Sequence, residues 1–266
     1  MNMIGRLVFL GAEIKRELIM QRRYLLNTIM FVLINYILFM GIYLGIKSFG
    51  RGPDLGSGPA ELMLGYLLWM YAAGGLNSMG DQLAGMATRG CLEQVYLAPV
   101  SPLYILACKS AADVISGSLQ VIPIMLAVIL TTGIKVSIPI LPSLLIWGLT
   151  IIGLYGFGYI LAGIVLVHKR AGQARELLQW FFFFFCGVIV PLEKLPPWLQ
   201  PVSRILPLTQ GLDMIRALII RGEALSQMGD KLFLLFLNSM LYLLIGMAVF
   251  LWSNRIVQQR GTLSIY

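Results

Sequence analysis

The sequence predicts an all-helical integral membrane protein: six transmembrane helices, an N-terminal amphipathic interfacial helix, and an outer re-entrant helical hairpin between spans five and six. Three observations predict it. Of 266 residues, 58% are hydrophobic and 12% charged, where a soluble domain carries roughly 25% charged residues. So little charge cannot clothe a soluble surface. The apolar residues gather into long runs that suit helices crossing ~30 Å of hydrocarbon, not into the short alternating segments of a barrel. The net charge is +8, from 20 Lys+Arg against 12 Asp+Glu, and is assigned to the cytoplasmic face of a membrane rather than to nucleic acid. These features exclude a soluble enzyme, a disordered chain and a fibrous repeat.

Residues 1–24 form the first element. Ile4, Leu7, Val8, Gly11, Ile14 and Leu18 recur at helical spacing, while Arg6, Glu13, Lys15, Arg16 and Glu17 lie mostly off that stripe. The pattern is that of a helix lying on the membrane surface. Both charge signs, and no small-residue cleavage site before the apolar run, argue against a cleaved leader. Arg22 and Arg23 then precede the first span. Residues 25–266 are one transmembrane domain, with spans near 25–46, 61–83, 111–132, 141–167, 177–190 and 232–252. The fifth is short before Pro191 and has to extend back through Ala174, or its neighbour has to help fill the membrane. Asp81 and Asp113 are placed at inner ends of spans and Glu61 at an outer end. Gly41, Gly45, Gly153, Gly156 and Gly158 are read as close-packing sites between helices.

Orientation follows from Lys and Arg. With a cytoplasmic N-terminus, 12 of them fall inside and 8 outside. Five of the outer ones lie in one long segment, Pro191 to Lys231, where the rule counts less. Six spans return the C-terminus to the cytoplasm. The outer segment, 191–230, holds Pro191, Pro196, Pro197, Pro201 and Pro207 yet stays rich in Leu, Ile and Trp. Apolar, proline-broken backbone at membrane depth has to be buried by protein or line a cavity. Two helical legs are predicted, near 197–206 and 208–220, with Leu212, Ile215 and Ile219 on one face. Asp213 and Arg216 are expected to form a local i,i+3 pair.

Catalytic chemistry is missing. No G-x-x-x-x-G-K-[ST] phosphate loop occurs, and Lys47 and Lys109 both lack the preceding glycine. His168 is the one histidine, so H-E-x-x-H zinc chemistry lacks its residues, and with no G-x-S-x-G a serine-protease reading has little to stand on. Cys91, Cys108 and Cys186 have no metal spacing and are read as reduced and structural. Carboxylates are nearly absent from the middles of the spans, where an ion-driven carrier keeps them. No catalytic residue, metal or resident cofactor is predicted, and the energy has to come from a separate protein. A membrane-embedded enzyme and a purely structural or assembly subunit are the competing classes.

Residues 84–110 form an inner loop. Gly90 and Pro99 punctuate it, and between them lie about two helical turns with Leu92, Val95 and Tyr96 on one side and Glu93 and Gln94 on the other. A short helix of this kind suits docking into a partner's groove. Gly90-Cys91-Leu92-Glu93-Gln94 followed by Ala98-Pro99-Val100-Ser101-Pro102 resembles the "G-T-L-E … S-P-V-S" loop of ABC transporter permeases of type 2. The stretch from Gly187 through Pro191 and Leu195 to Pro197-Trp198-Leu199 resembles that family's "G-x-x-x-P-x-x-x-L-P-x-W-L" outer segment, and Pro207-Leu208-Thr209 up to Arg216 its "N-P-L-T-Y-x-x-x-x-x-R" stretch. Cys91 stands where Thr is usual, and Leu206 where Asn is common.

The resemblance implies an export permease working as a dimer, homodimeric or with a paralogue, driven by two copies of an ABC ATPase that carry the ATP and Mg. It implies a multi-pass protein of the cell membrane exporting a drug-like, lipid-like or other amphiphilic molecule. A polysaccharide or teichoic-acid permease is the alternative within the class. By position it places ATPase coupling on Arg89, Glu93, Gln94, Tyr96 and Pro99, with Lys15, Arg16, Arg22 and Arg23 on the connecting helix and 168–176 as a second contact. The substrate path is placed along spans two and five. On span two, Tyr66, Trp69, Met70, Ala73 and Asn77 share a face, and Asn77 is singled out because a buried amide needs a partner; Phe181 and Phe184 stand for span five. The outer gate falls to Pro191, Trp198, Asp213 and Arg216.

Overall fold

The computed structural model describes residues 3–49, 58–88, 100–168, 172–190 and 192–260. Among these there are helices and no strands: α1 (Met3–Arg23), α2 (Leu25–Phe49), α3 (Pro59–Thr88), α4 (Pro102–Thr132), α5 (Ile140–His168), α6 (Gly172–Phe185), α7 (Gln200–Ile205), α8 (Pro207–Ile219) and α9 (Gly229–Arg260). Short 3₁₀ turns cover Leu192–Lys194 and Leu225–Met228. Four helical stretches are long and apolar enough to cross a membrane: Leu25–Ser48, Pro102–Thr132, Ile140–Val167 and Leu225–Gln259. The chain is therefore a multi-pass helical membrane protein. The 30-residue α3 has the length, but Asn77, Ser78, Asp81 and Gln82 dilute its apolar character. With 14 residues, α6 is short. It does reach back past Ala174 as the sequence demands.

α3 sits at the centre. Leu62, Met63, Tyr66, Ala72, Leu76 and Met79 are all at most 2% exposed, because α2, α4, α5, α6 and α8 pack around it. α5 and α9 make the most extensive helix pair, and small residues let their backbones close in. A Cβ on Gly156 would fall 2.5 Å from the Tyr242 carbonyl carbon, and one on Gly158 would fall 2.5 Å from the Gly75 oxygen on α3. Gly153 is equally tight, with Pro207 Cβ at 2.7 Å. These three glycines act as the sequence suggests. Gly41 and Gly45 do not: nothing lies within 4 Å of either, because α2 turns that face away from its own chain.

α4 starts at Pro102, nine positions before the predicted span. Ser101 is the reason: its Oγ accepts a hydrogen bond from the Tyr104 amide, and proline occupies the first helical turn. Asp113 is consequently the twelfth residue of the helix and faces into the bundle instead of ending a span. The first half of α4 runs alongside α1, with Phe9 against Tyr104 and Gln21 donating to the Ser116 carbonyl at 2.9 Å. On α1, Leu7, Val8 and Leu18 remain exposed, so the stripe assigned to the membrane surface is left uncovered by protein.

The outer segment forms two helical legs, α7 and α8, that meet at Leu206. The amide of Asn238 on α9 donates to the Ile205 carbonyl and to Gln210 Oε1, and Pro207 packs on Gly153. By helical rise, Gly153 lies roughly 20 Å along α5 from its Ile140 end and Asn238 roughly 14 Å along α9 from its Gly229 end. The inner face of α8, including Leu208, Leu212, Met214 and Ile215, is buried; Ile219 at its end is partly buried.

Candidate functional site

A cavity of about 370 Å³ opens between α2, α3, α4, α5 and α6, within the range of ~300–1,000 Å³ that holds small organic ligands. α3 supplies one wall with Trp69, Met70, Ala73 and Asn77; α4 and α5 supply another with Asp113, Gly117 and Tyr155. The walls are pinned by cross-helix hydrogen bonds. Trp69 Nε1 donates to the Gln179 carbonyl at 3.1 Å, and Asn77 Nδ2 donates to Gln179 Oε1 at 3.0 Å. The amide on α3 has thus found the partner it required. Arg175 donates to the Asn77 carbonyl at 3.1 Å and pairs with Asp81. Across the cavity the Tyr155 hydroxyl donates to Asp113 Oδ2 at 2.8 Å, and the Tyr71 hydroxyl donates to Ser118 at 2.9 Å.

Of the residues assigned to the path, Trp69, Met70, Ala73 and Asn77 therefore line one cavity. Tyr66 stands behind the wall: it is 1% exposed, and its hydroxyl donates to the carbonyl and amide oxygens of Asn35 at 3.1 and 3.0 Å. Phe181 packs against Phe185, and Phe184 points outward, stacked on Trp180. Neither phenylalanine lines the cavity within this chain. Sequence reasoning missed Asp113, Tyr155 and Gln179. The Ser-Pro pair at 101–102, a helix start signal, was the available clue to Asp113.

At the other end of the bundle, a second cleft of about 640 Å³ lies beneath α7 and α8, lined by Glu61, Glu193, Asp213 and Arg216 among others. The expected Asp213–Arg216 pair does not form. Asp213 faces out and pairs with Arg221 at 3.3 Å and Lys231 at 3.4 Å. Arg216 turns inward and donates to the Glu61 carbonyl at 3.1 Å and the Val188 carbonyl at 3.4 Å. The cause is the backbone after α6, which leaves the helix over 186–190, with Gly187 at φ +83. The carbonyl of Val188 then lacks a helical donor, and the guanidinium fills that need. Gly65 makes room: a Cβ there would meet the Val188 oxygen at 3.0 Å and the Arg216 guanidinium at 3.3 Å. At the rim, burial pulls the Arg221 pKa down, but hydrogen bonds to Glu223 and Asp213 outweigh it and leave the group above its ordinary value.

Among the remaining assigned residues, Trp198 is 73% exposed and stands outside the cleft, and Pro191 lies outside the described residues. Arg89, Glu93, Gln94, Tyr96 and Pro99 also lie outside them. Lys15, Arg16, Arg22 and Arg23 are exposed along α1, with Arg16 held by Glu13 at 3.1 Å and Glu17 at 3.7 Å. Cys108 and Cys186 are buried free thiols.

The fold is an all-helical bundle with apolar helices long enough to cross a membrane and a ligand-sized cleft among them. Residues 10–220 match the family model of the ABC-2 type transporter, and the chain belongs to that family. Its members are generally non-catalytic permeases of ABC transporters and normally pair with an ABC ATPase. No curated protein matches the chain.

Proposed function

We propose that the chain is the membrane subunit of an ABC exporter for a drug-like or lipid-like amphiphile. It works as a dimer of permeases, driven by two copies of a separate ATPase that bind ATP and Mg. The observation that carries this reading is the cavity between α2 and α6, polar at Asn77, Gln179 and Asp113 and aromatic at Trp69 and Tyr155. Such a mixed lining suits an amphiphile, and the cavity's volume favours a small molecule over a polysaccharide chain.

Six crossings are assigned to α2, α3, α4, α5, α6 with 186–190, and α9, in the cell membrane with both termini cytoplasmic. α7 and α8 then form a re-entrant outer hairpin over the exit. The depth at which Pro207 meets Gly153 supports this placement, as does the carbonyl capping by Arg216. The uncovered glycine face of α2 supports a second subunit beside it, and the outward Phe184 and Trp180 are available to the same interface.

The test is reconstitution into proteoliposomes with an ABC ATPase that copurifies with the chain. ATP-dependent movement of an amphiphilic dye, abolished by narrowing the cavity with Ala73→Trp, is the expected result. Undiminished transport by that variant would remove the cavity from the path.

A further inference from the structure

We propose that the inner cavity selects organic cations, with the Asp113 carboxylate as their counter-ion. This rests on the reading of the cavity as the substrate path and names the charge of what passes.

Two carboxylates, Asp81 and Asp113, line the cavity, and among the described residues no lysine, arginine or histidine does. Asp81 is already balanced by Arg175. Asp113 is not: among the described residues no basic group lies within ion-pair distance of it, and its Oδ2 is held by the neutral Tyr155 hydroxyl at 2.8 Å. A carboxylate withdrawn from water without a cation is costly, and an arriving cation removes that cost. The Tyr155 hydrogen bond orients the Asp113 carboxyl group toward the cavity while adding no positive charge.

The rest of the lining fixes the kind of cation. Trp69, Tyr71 and Tyr155 offer aromatic faces, which attract organic cations through their quadrupoles. Among the described residues no three His, Cys, Asp or Glu side chains gather as a metal site requires, which disfavours a hard divalent metal. The basic group at the wall, Arg175, is already engaged by Asp81 and the Asn77 carbonyl, so an anion would have to displace that pair. The outer cleft differs, since Lys194, Arg204, Arg216 and Arg221 contribute to its lining. The charge preference therefore belongs to the inner site.

Tetraphenylphosphonium and tetraphenylborate have nearly the same size and shape and opposite charge, and triphenylphosphine oxide is a neutral relative. Binding of each to the full chain in phosphatidylcholine nanodiscs is measured by equilibrium dialysis against empty nanodiscs. The phosphonium should bind at least about tenfold tighter than the borate, as a charge-assisted contact implies. Asp113→Asn, which keeps an acceptor for Tyr155, should lower phosphonium affinity about tenfold or more and leave the neutral probe within about twofold. Gly74 lines the cavity with open space around it, and Gly74→Leu should weaken phosphonium and neutral probe together. Equal binding of the two ions, or phosphonium binding indifferent to Asp113→Asn in a folded variant, overturns the cation preference while the cavity stands. Probe binding that ignores Gly74→Leu overturns the cavity itself.

Discussion

Gly246 on α9 lies so close to Gly156 on α5 that a Cβ on Gly246 would collide with the Gly156 carbonyl oxygen. The contact is backbone on backbone, so no rotamer change relieves an added side chain. In lipid, where apolar burial contributes little to helix association, such close approach is a main source of packing energy. Gly156→Leu should lower stability by about 1–3 kcal/mol or more. Gly148→Leu on the same helix, with nothing within 4 Å of that position, should be tolerated. Thermal unfolding of the two variants in detergent checks the contrast; similar melting temperatures would contradict the tight α5–α9 seam.

The two charges of α8 should behave very differently. Asp213 sits in an exposed network with Arg221 and Lys231, so Asp213→Ala should change stability by only about 0–1 kcal/mol. Arg216 is inward and caps a carbonyl that the broken end of α6 leaves without a donor. Arg216→Leu should cost about 1.5–3 kcal/mol, and the double variant should show near-additive effects because the two side chains do not pair. A strong rescue in the double-mutant cycle would restore a direct Asp213–Arg216 bond.

The proposed topology is checked by impermeant thiol labelling of intact cells, with the three native cysteines replaced. A cysteine at Gly58 or Ser137 should label from outside. A cysteine at Gln173 or Arg255 should label only after the membrane is opened. External labelling at Gln173 would change the number of crossings.

The apolar runs made most helices readable: α2 and α5 fall close to the predicted bounds, while α9 runs on to Arg260, past the apolar run that marked it. The proline-rich outer segment was also readable, because five prolines in apolar sequence allow few arrangements. Side-chain partners across helices were not. The i,i+3 spacing of Asp213 and Arg216 gives a local pair in an isolated helix, but a carbonyl freed 28 residues earlier in sequence competed for the arginine and won. The cavity was half visible: periodicity placed Trp69, Met70 and Asn77 on one face, whereas Asp113 and Tyr155 meet only once α4 starts at Pro102 and α5 packs beside it. Tyr66 shares the periodic face yet turns to Asn35, a choice that helical spacing cannot decide.

The last prediction concerns how work reaches the cavity. The family normally pairs its permeases with an ABC ATPase, and in the proposed arrangement force enters through the segment bearing Glu93, which precedes α4 in sequence. From Pro102 to Thr132 α4 is one continuous helix, and its own residues Asp113, Gly117 and Gln120 form part of the cavity wall. In the proposed arrangement a push at the start of α4 would be carried along the helix to that wall and shift it against α3 and α5. α1 packs along the same half of α4 and shares the load through Gln21. Glu93→Ala removes a carboxylate able to hold a donor on the ATPase through a charge-assisted hydrogen bond worth roughly 1.5–3 kcal/mol. Docking should weaken about ten- to a hundredfold, while insertion and dimer formation persist because Glu93 belongs to no apolar span. Copurification of the ATPase, ATP hydrolysis and dye transport in proteoliposomes measure this together. Normal transport at a normal ATPase ratio would return the loop to a passive connection.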